Sequence, residues 1–242
     1  MTARFNEQAH EYHDQAMIQK DLASWTAEWL ESEISGLEGI EFGAGTGHFT
    51  QLLVSKNLTL RAIDLSPRMI ALGSALVPEA QWELGNAWVP ADSYNADRIF
   101  SSALLQWCKD PLETLLRWRS CLRTGGRLLC GMYVRETLPE LTQVLPGSAP
   151  FHWHTPEEWS NFFEEAGFTI IRAESHKKTY HFPNAIELLR YLHRIGSVRV
   201  GRFSANVLRS AVRNYDTAYA GQKDISSTWT FFRIECLSGN SL

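Results

Sequence analysis

Short apolar runs alternate with segments of helical periodicity along most of the chain. The apolar runs, bounded by glycine or polar residues, predict strands at residues 39–42, 58–63, 81–84, 96–101 and 127–133. Apolar positions three and four apart predict helices at residues 6–33, 48–55, 66–75 and 111–122. The pair Gly125-Gly126 is predicted to end the last of these helices. This alternation suits βαβ units, so we predict an α/β fold with a doubly wound, mostly parallel sheet.

The second half of the chain adds two more strands. Residues 138–145 form a short amphipathic piece, and Thr155 and Glu158 have the spacing of a capping box, which predicts a helix that ends at Gly167. Strands are predicted at residues 168–178 and 225–237, and helices between them at 184–195 and 204–218. We therefore expect a single domain over residues 1–242 with a Rossmann-like, seven-stranded sheet. An N-terminal helical lid occupies residues 1–33, and a helical cap at 184–220 is inserted before the last strand.

Composition excludes several classes of function. The chain has 23 basic and 27 acidic residues, and this mild net charge of -4 argues against nucleic acid as a partner. Four cysteines lack paired spacing, and the pairs His10 with His13 and His152 with His154 have no cysteine or carboxylate at ligand spacing beyond what chance would give, so no metal is predicted. The N-terminus lacks the apolar core of a signal peptide, and no run is long enough to span a bilayer. We expect a cytoplasmic protein without a membrane partner.

The first strand ends in a loop with glycine at alternate positions, Glu41-Phe42-Gly43-Ala44-Gly45-Thr46-Gly47. Glycine permits a left-handed backbone and leaves no Cβ between the chain and a ligand, so the loop predicts a cradle for a small molecule. A dinucleotide fingerprint would need glycine at position 48, where the chain has His48, and a phosphate-binding P-loop would need a lysine that is missing.

Polar residues follow the ends of the neighbouring strands. Ligands of doubly wound sheets bind at the carboxyl ends of the strands, so Glu41, Asp64, Asn86 and Ser101 should converge on one crevice. Asp64 lies about twenty residues after the glycine loop, where a carboxylate can accept hydrogen bonds from both hydroxyls of a ribose. A helix-capping role for Asp64 and a plain turn for Asn86 are the alternatives.

The pattern E-x-G-x-G-x-G after a strand resembles the first motif of class I S-adenosylmethionine-dependent methyltransferases. In that class an Asp or Asn after the third strand meets the adenine amino group, which implies this role for Asn86. Glu41 could meet the ammonium group of the cofactor, directly or through water. The predicted cofactor-binding residues are Glu41, Gly43, Gly45, Gly47, Asp64, Leu65, Met69, Asn86, Ala87 and Ser101.

A more particular resemblance covers most of the chain. Residues 4–19, with Arg4-Phe5, Ala9, Tyr12, Ala16 and Gln19, resemble the opening of the malonyl-acyl-carrier-protein O-methyltransferases of biotin synthesis. Segments similar to the D-L-S-x-x-M, Q-W-C, S-L-x-E-L and L-L-R with I-G motifs of that family follow at 64–69, 101–108, 137–141 and 182–196.

The resemblance implies methyl transfer from S-adenosylmethionine to the free carboxylate of a malonyl thioester on an acyl-carrier protein, or on coenzyme A. A carboxylate is already nucleophilic at pH 7, so no general base is expected. Tyr12 is predicted to close over cofactor and acceptor, and Gln106, Trp107, Arg190 and Arg194 are predicted to bind the substrate. The excess of basic residues between 172 and 213 would suit an acidic carrier protein.

Departures from the family leave two other functions open. Glu41 and Ala44 replace the usual Asp and Cys of the glycine loop, and Ser102 stands where Asn is common. Residues 151–154 lack the usual N-x-F, which bears on the identity of the acceptor. One alternative is a carboxyl methyltransferase for a free small acid, because trans-aconitate methyltransferases share the Gln-Trp after the fourth strand. The other is a regulatory protein that binds S-adenosylmethionine without catalysis.

Overall fold

The computed structural model describes residues 13, 16–32, 34–148, 152–195, 203–221 and 223–239. Its strands are β1 Glu38–Phe42, β2 Thr59–Asp64, β3 Gln81–Leu84, β4 Ala96–Ser102, β5 Leu122–Tyr133, β6 Phe168–Phe182 and β7 Ile225–Ser238. They form one seven-stranded sheet in the order β3-β2-β1-β4-β5-β7-β6. The pairs among β1 to β5 are parallel, and β7 is antiparallel to both its neighbours. The predicted α/β class and the mostly parallel, seven-stranded sheet are confirmed.

Helices connect the strands and cover both faces of the sheet. They are α1 Met17–Ala27, α2 His48–Val54, α3 Pro67–Leu76, α4 Pro111–Ser120, α5 Pro139–Val144, α6 Pro156–Glu165, α7 Ala185–Arg194 and α8 Ala205–Ala218. The predicted capping box at α6 is present, with Glu158 N donating to Thr155 Oγ1 and Thr155 N donating to Glu158 Oε2. Within the described residues, no helix combines the length and the apolar character needed to cross a membrane.

The end of the N-terminal helix was predicted too late. Of the predicted segment 6–33, the part that the structure describes contains α1, which ends at Ala27. The next residues turn, with Trp29 N donating to Thr26 O and Leu30 N to Ala27 O. Trp29 then packs against the sheet, where the guanidinium carbons of two arginines lie 4.2 and 4.4 Å from its ring centre. This tertiary contact ends the helix where the local pattern would continue it.

The start of β5 was also predicted wrongly. Leu122 is the first residue of β5 rather than the last of α4, and Gly125 and Gly126 lie inside the strand. Leu122 pairs with Ala96 of β4, and the register then shifts before Arg98 pairs with Arg127. Gly125 takes φ of +75° at this irregularity. The glycine pair therefore bends a strand and does not end a helix.

The other long strand, β6, runs four residues beyond the predicted end at residue 178. Its pairing with β7 continues from Lys178, opposite Trp229, to Phe182, opposite Ile225. A long-range partner thus extends a strand whose own polar residues give no sign of its length.

The lid and cap segments pack together over one end of the sheet. Leu188 and Leu192 of α7 and Tyr215 of α8 share a buried cluster with Ile18 and Leu22 of α1. The boundaries predicted for the lid and the cap stay predictions. Their shared cluster covers the region beside the carboxyl ends of the parallel strands.

Candidate functional site

A cavity of about 590 Å³ opens at the carboxyl ends of β1, β2, β3 and β4. Each of these strands contributes the loop that follows it, so one wall contains residues that are far apart in sequence. The residues that were predicted to contact a ligand and that line this cavity are Gly43, Gly45, Asp64, Leu65, Met69, Asn86, Ala87 and Trp107. Of the four strand-end residues predicted to converge on one crevice, Asp64 and Asn86 line this cavity, whereas Glu41 and Ser101 do not.

The glycine loop needs glycine for two different reasons. Gly43, Gly45 and Gly47 all have positive φ, at +75°, +57° and +96°. A Cβ at Gly43 would lie 2.8 Å from a methyl carbon of Leu104, whereas a Cβ at Gly45 would meet nothing within 4 Å. Space is therefore limiting at Gly43, and backbone conformation alone at Gly45.

Asp64 connects the glycine loop to the loop after β2. Its Oδ2 accepts a hydrogen bond of 2.9 Å from Gly45 N, and its Oδ1 accepts one of 2.8 Å from Ser66 N. Burial raises the pKa of this carboxyl, and the backbone donors oppose part of the rise. Each carboxylate oxygen can accept a second hydrogen bond. Asp64 can thus hold the loop and still accept a hydrogen bond from a ligand hydroxyl.

Apolar side chains form the wall next to Asp64. Leu65 and Met69 follow β2, Ala87 follows β3 and Leu104 follows β4, and all four line the cavity. Asn86 turns the loop, because its Oδ1 accepts from Trp88 N at 3.1 Å, and this leaves its amide nitrogen as a donor. Such a wall, with polar groups at its edge, suits the face of a purine and the ribose attached to it. The residues present therefore fit a nucleoside cofactor.

Three predicted cofactor residues lie behind the cavity wall. Glu41 is buried and its Oε2 accepts a 2.6 Å hydrogen bond from Thr50 Oγ1. Ser101 Oγ donates to Phe42 O at 3.0 Å, and Gly47 precedes α2. None of the three lines the cavity. Their roles towards a cofactor stay predictions.

Burial makes Glu41 an unusual carboxyl. Its pKa is raised to about 8, mainly because it is removed from water; the hydrogen bond from Thr50 opposes this rise, and the nearby charge of Asp64 adds to it. At pH 7 the group is therefore mainly neutral. A cation close to it would favour the ionised form.

The predicted substrate residues are dispersed. Trp107 lines the cavity, and Gln106 lies behind it with Nε2 donating to Ala103 O at 2.6 Å. Arg190 is exposed and pairs with Glu187 at 2.5 Å, and neither it nor Arg194 lines the cavity. Tyr12 lies outside the described residues.

A histidine pair that the sequence pattern did not reveal lies at the glycine loop. His13 Nδ1 is hydrogen-bonded to Thr46 Oγ1 at 2.9 Å, and its ring stacks on His48 at 4.3 Å. The pKa of His48 is lowered to about 3, mainly by burial, and electrostatic interactions with His13 and Lys20 contribute to the lowering. His48 is therefore neutral at pH 7. The contact brings the residue after Tyr12 to the glycine loop.

Charged residues at the outer end of the cavity were also missed. Lys109, Asp110, Glu113 and Arg117 line it there, and Arg117 Nε donates to Glu113 Oε1 at 2.8 Å. These residues belong to the first turns of α4 and the loop before it. The only signal in the sequence is their spacing of three and four residues, which is common on any exposed helix.

Comparison with known proteins identifies the family. Residues 13–173, well over half of the chain, match the model of a methyltransferase domain. A malonyl-[acyl-carrier protein] O-methyltransferase of Paenibacillus sp. is 29% identical over 182 residues, which cover 65% of this chain and 64% of that protein. The chain thus spans less than two thirds of that relative. A protein of the same name from Brevibacillus brevis is 22% identical over 271 aligned positions, covering 100% of this chain and 97% of that one.

Solved structures share the fold. The YcgJ protein of Bacillus subtilis superposes with a TM-score of 0.67 at 14% identity, covering 91% of this chain and 99% of that chain. At this identity the likeness supports the fold alone. The family match goes further and identifies the protein as a methyltransferase. It confirms the resemblance to S-adenosylmethionine-dependent methyltransferases that the glycine loop indicated. The chain belongs to the methyltransferase domain family, in its S-adenosylmethionine-dependent class.

Proposed function

We propose that this protein transfers a methyl group from S-adenosylmethionine to the free carboxylate of a malonyl thioester carried by an acyl-carrier protein. The observation that carries the proposal is the cavity that joins the glycine loop, Asp64 and the Trp107 segment in one wall. The name of the relatives, one of which aligns with the whole chain, supports this acceptor.

The wall of the cavity would bind the nucleoside part of the cofactor. The free lone pairs of Asp64 accept the ribose hydroxyls, and Leu65, Met69 and Ala87 contact the purine. Asn86 offers its amide to the edge of the base. When bound, the cofactor supplies an electrophilic methyl group on a sulfonium.

The remaining task of the protein is to orient the acceptor and exclude water. A carboxylate is nucleophilic without a base, and its reaction with a sulfonium joins opposite charges into neutral products. A site with little water favours that change, and alignment of the reacting atoms supplies much of the acceleration. Ala103, Leu104 and Trp107 give the cavity apolar walls for this purpose.

A free small acid is the second candidate acceptor, and the ion pairs of the structure favour it. Several of the basic residues expected to attract a carrier protein are paired with acidic residues of the chain. Lys178 contacts Asp21 at 2.6 Å, Arg172 contacts Glu235 at 2.6 Å, and Lys177 pairs with Glu136. Paired charges steer a partner less than free ones, because the field of each cation is partly cancelled.

The test compares acceptors in one assay. The protein is incubated with methyl-labelled S-adenosylmethionine and with malonyl-acyl-carrier protein, malonyl-coenzyme A, malonate or trans-aconitate, and base-labile label is counted. We expect the carrier-bound malonyl group to be methylated fastest, with a rate that falls as salt rises. Faster labelling of a free acid would instead favour the second candidate. Cofactor binding in calorimetry without turnover of any acid would favour a regulatory protein.

Two matched variants separate cofactor binding from general damage. Asp64→Asn should weaken cofactor binding at least tenfold, roughly the loss of one charge-assisted hydrogen bond. Asp110→Asn changes another aspartate of the same cavity and keeps a good N-cap for α4. This variant should bind the cofactor as tightly as the unaltered protein does. Equal effects of both variants would contradict the assignment of Asp64, and absence of binding in the unaltered protein would contradict the proposal as a whole.

A further inference from the structure

Two histidines and a glutamate come together where the chain enters α6. One potential ligand atom from each of His152, His154 and Glu158 lies within 4.8 Å of the other two. The expectation that no carboxylate lies at ligand spacing from these histidines is therefore wrong. Glu158 is four residues after His154, and the first turn of the helix brings it back to the histidine.

The carboxylate in this cluster is held in place. Glu158 Oε2 accepts from Thr155 N at 2.7 Å, and the capping box fixes the side chain against the helix end. Among the described residues, no hydrogen bond to Oε1 is recorded, so that oxygen is available to a ligand. A group that is already ordered loses little conformational entropy when it binds an ion.

The histidine next to it is also positioned by its neighbours. The ring of His154 lies edge to face against Trp159 and Phe162, at 5.4 and 5.1 Å. Its Nδ1 is 3.5 Å from Glu158 Oε2. His152 is exposed and its ring centre is 4.9 Å from that of His154. One imidazole is thus fixed, and the other can adjust to an ion.

Arg135 holds the backbone of this segment and also limits the site. Its backbone N donates to His154 O at 2.8 Å, and its Nε donates to Trp153 O at 3.3 Å. Its guanidinium lies 3.6 Å from Glu158 Oε2, so it competes with a cation for that oxygen. An ion would therefore use Oε1.

We propose that His152, His154 and Glu158 bind a divalent transition-metal ion, with zinc as the best match. Two imidazole nitrogens and one carboxylate oxygen are a common ligand set for zinc and leave a fourth position for water. Magnesium and calcium prefer six or more oxygen ligands, which this cluster does not offer. The ion ties residues 152–154 to the start of α6.

An ion at this position would have a structural role, because methyl transfer itself needs no metal. The two histidines lie in the segment where the sequence departs from the family it resembles, and Glu158 lies in the first turn of α6, which follows that segment. Arg135, two residues after β5, joins this segment to the sheet. The ion would therefore stabilise a segment that is particular to this chain.

The experiment is a metal titration of the full chain without an affinity tag, after treatment with a chelator. We expect isothermal titration calorimetry to find one Zn²⁺ per chain, and Mg²⁺ to give no heat of binding. His152→Ala and Glu158→Gln should each weaken Zn²⁺ binding at least about tenfold, because even the loss of an outer-shell partner costs that much. Glutamine at position 158 can keep the capping box, so the fold is preserved.

Matched controls change similar residues outside the cluster. Glu157→Gln alters the neighbouring exposed glutamate, and His176→Ala removes an exposed histidine of β6, so both should bind Zn²⁺ as the unaltered protein does. Co²⁺ in place of Zn²⁺ should give an absorption spectrum without thiolate charge transfer. The proposal fails if the unaltered protein binds no Zn²⁺, if the cluster variants bind it equally well, or if Co²⁺ shows a thiolate band.

Discussion

The buried carboxyl of Glu41 should make the stability of the protein depend on pH in an unusual direction. Most carboxyls have a lower pKa in the folded state, and their contribution to stability is lost in acid. Burial raises the pKa of Glu41 from 4.5 to about 8, so the folded protein keeps a proton that the unfolded chain releases. Between these two values the unfolded state binds fewer protons, and stability falls as pH rises.

The size of this effect follows from the two pKa values. From pH 6 to pH 8 the contribution of Glu41 to the free energy of unfolding should fall by about 2 kcal/mol. Glu41→Gln cannot ionise and keeps an oxygen that accepts the hydrogen bond of Thr50. Urea unfolding of both proteins at pH 6, 7 and 8 measures the effect, and the difference between them removes the contribution of the histidines.

A control variant and a binding experiment sharpen this test. Glu157→Gln removes an exposed carboxyl and should leave the pH dependence unchanged. If Glu41 meets the ammonium of the cofactor as predicted, binding should release close to one proton at pH 7, and affinity should rise roughly tenfold per pH unit below pH 8. Titrations in buffers of different ionisation enthalpy detect that proton. Parallel pH profiles for Glu41→Gln and the unaltered protein would refute the reasoning, since Glu41 would then be ionised in the fold.

Further predictions concern the glycine loop and two buried side chains. Gly43→Ala, whose new methyl would press on Leu104, should abolish cofactor binding in calorimetry. Gly45→Ala should lower the free energy of unfolding by only about 1 kcal/mol, which is the cost of a left-handed backbone at alanine. The pKa of His48 is about 3 in the folded protein, so between pH 6.5 and pH 4 only the unfolded chain binds a proton at this residue, and stability falls as the pH falls. His48→Gln should therefore reduce the loss of stability between pH 6.5 and 4 by about 3 kcal/mol in urea unfolding. Arg233→Met removes a buried guanidinium that stacks on two tryptophans at 4.1 and 4.2 Å, and it should lower the free energy of unfolding by about 2 kcal/mol. An unchanged melting temperature would contradict a stabilising role of this guanidinium.

The sequence predicted those parts of the fold that depend on local chemistry. Ser66 before Pro67 marked the start of α3, and Thr155 with Glu158 marked the start of α6, because capping uses neighbouring residues. Leu122 was assigned to a helix since it continues a helical spacing of leucines. Its pairing with Ala96 of β4 is a long-range contact that no local pattern reveals.

For the candidate site too, the sequence predicted the parts that depend on local chemistry and missed those that depend on long-range contacts. Alternate glycines and Asp64 at the end of a strand identified the cavity, because their spacing reflects a turn and a strand end. The depth of Glu41 could not be predicted, since Thr50 and the helix α2 that bury it pack only in the folded protein. His152, His154 and Glu158 were missed as a set, although the spacing of four between a histidine and a glutamate at a helix start was visible.

The position of β7 between β5 and β6 has a consequence for folding during synthesis. Among the strands of the described residues, β6 pairs with β7 alone, from Phe168 to Phe182, and β7 is made after two more helices. On the ribosome, β1 to β5 can assemble in order, while β6 has no strand to pair with until residues 225–238 emerge. A nascent chain stopped before Ile225 would therefore expose one open edge of β5 and the whole of the unpaired β6, and would be the species most prone to aggregate.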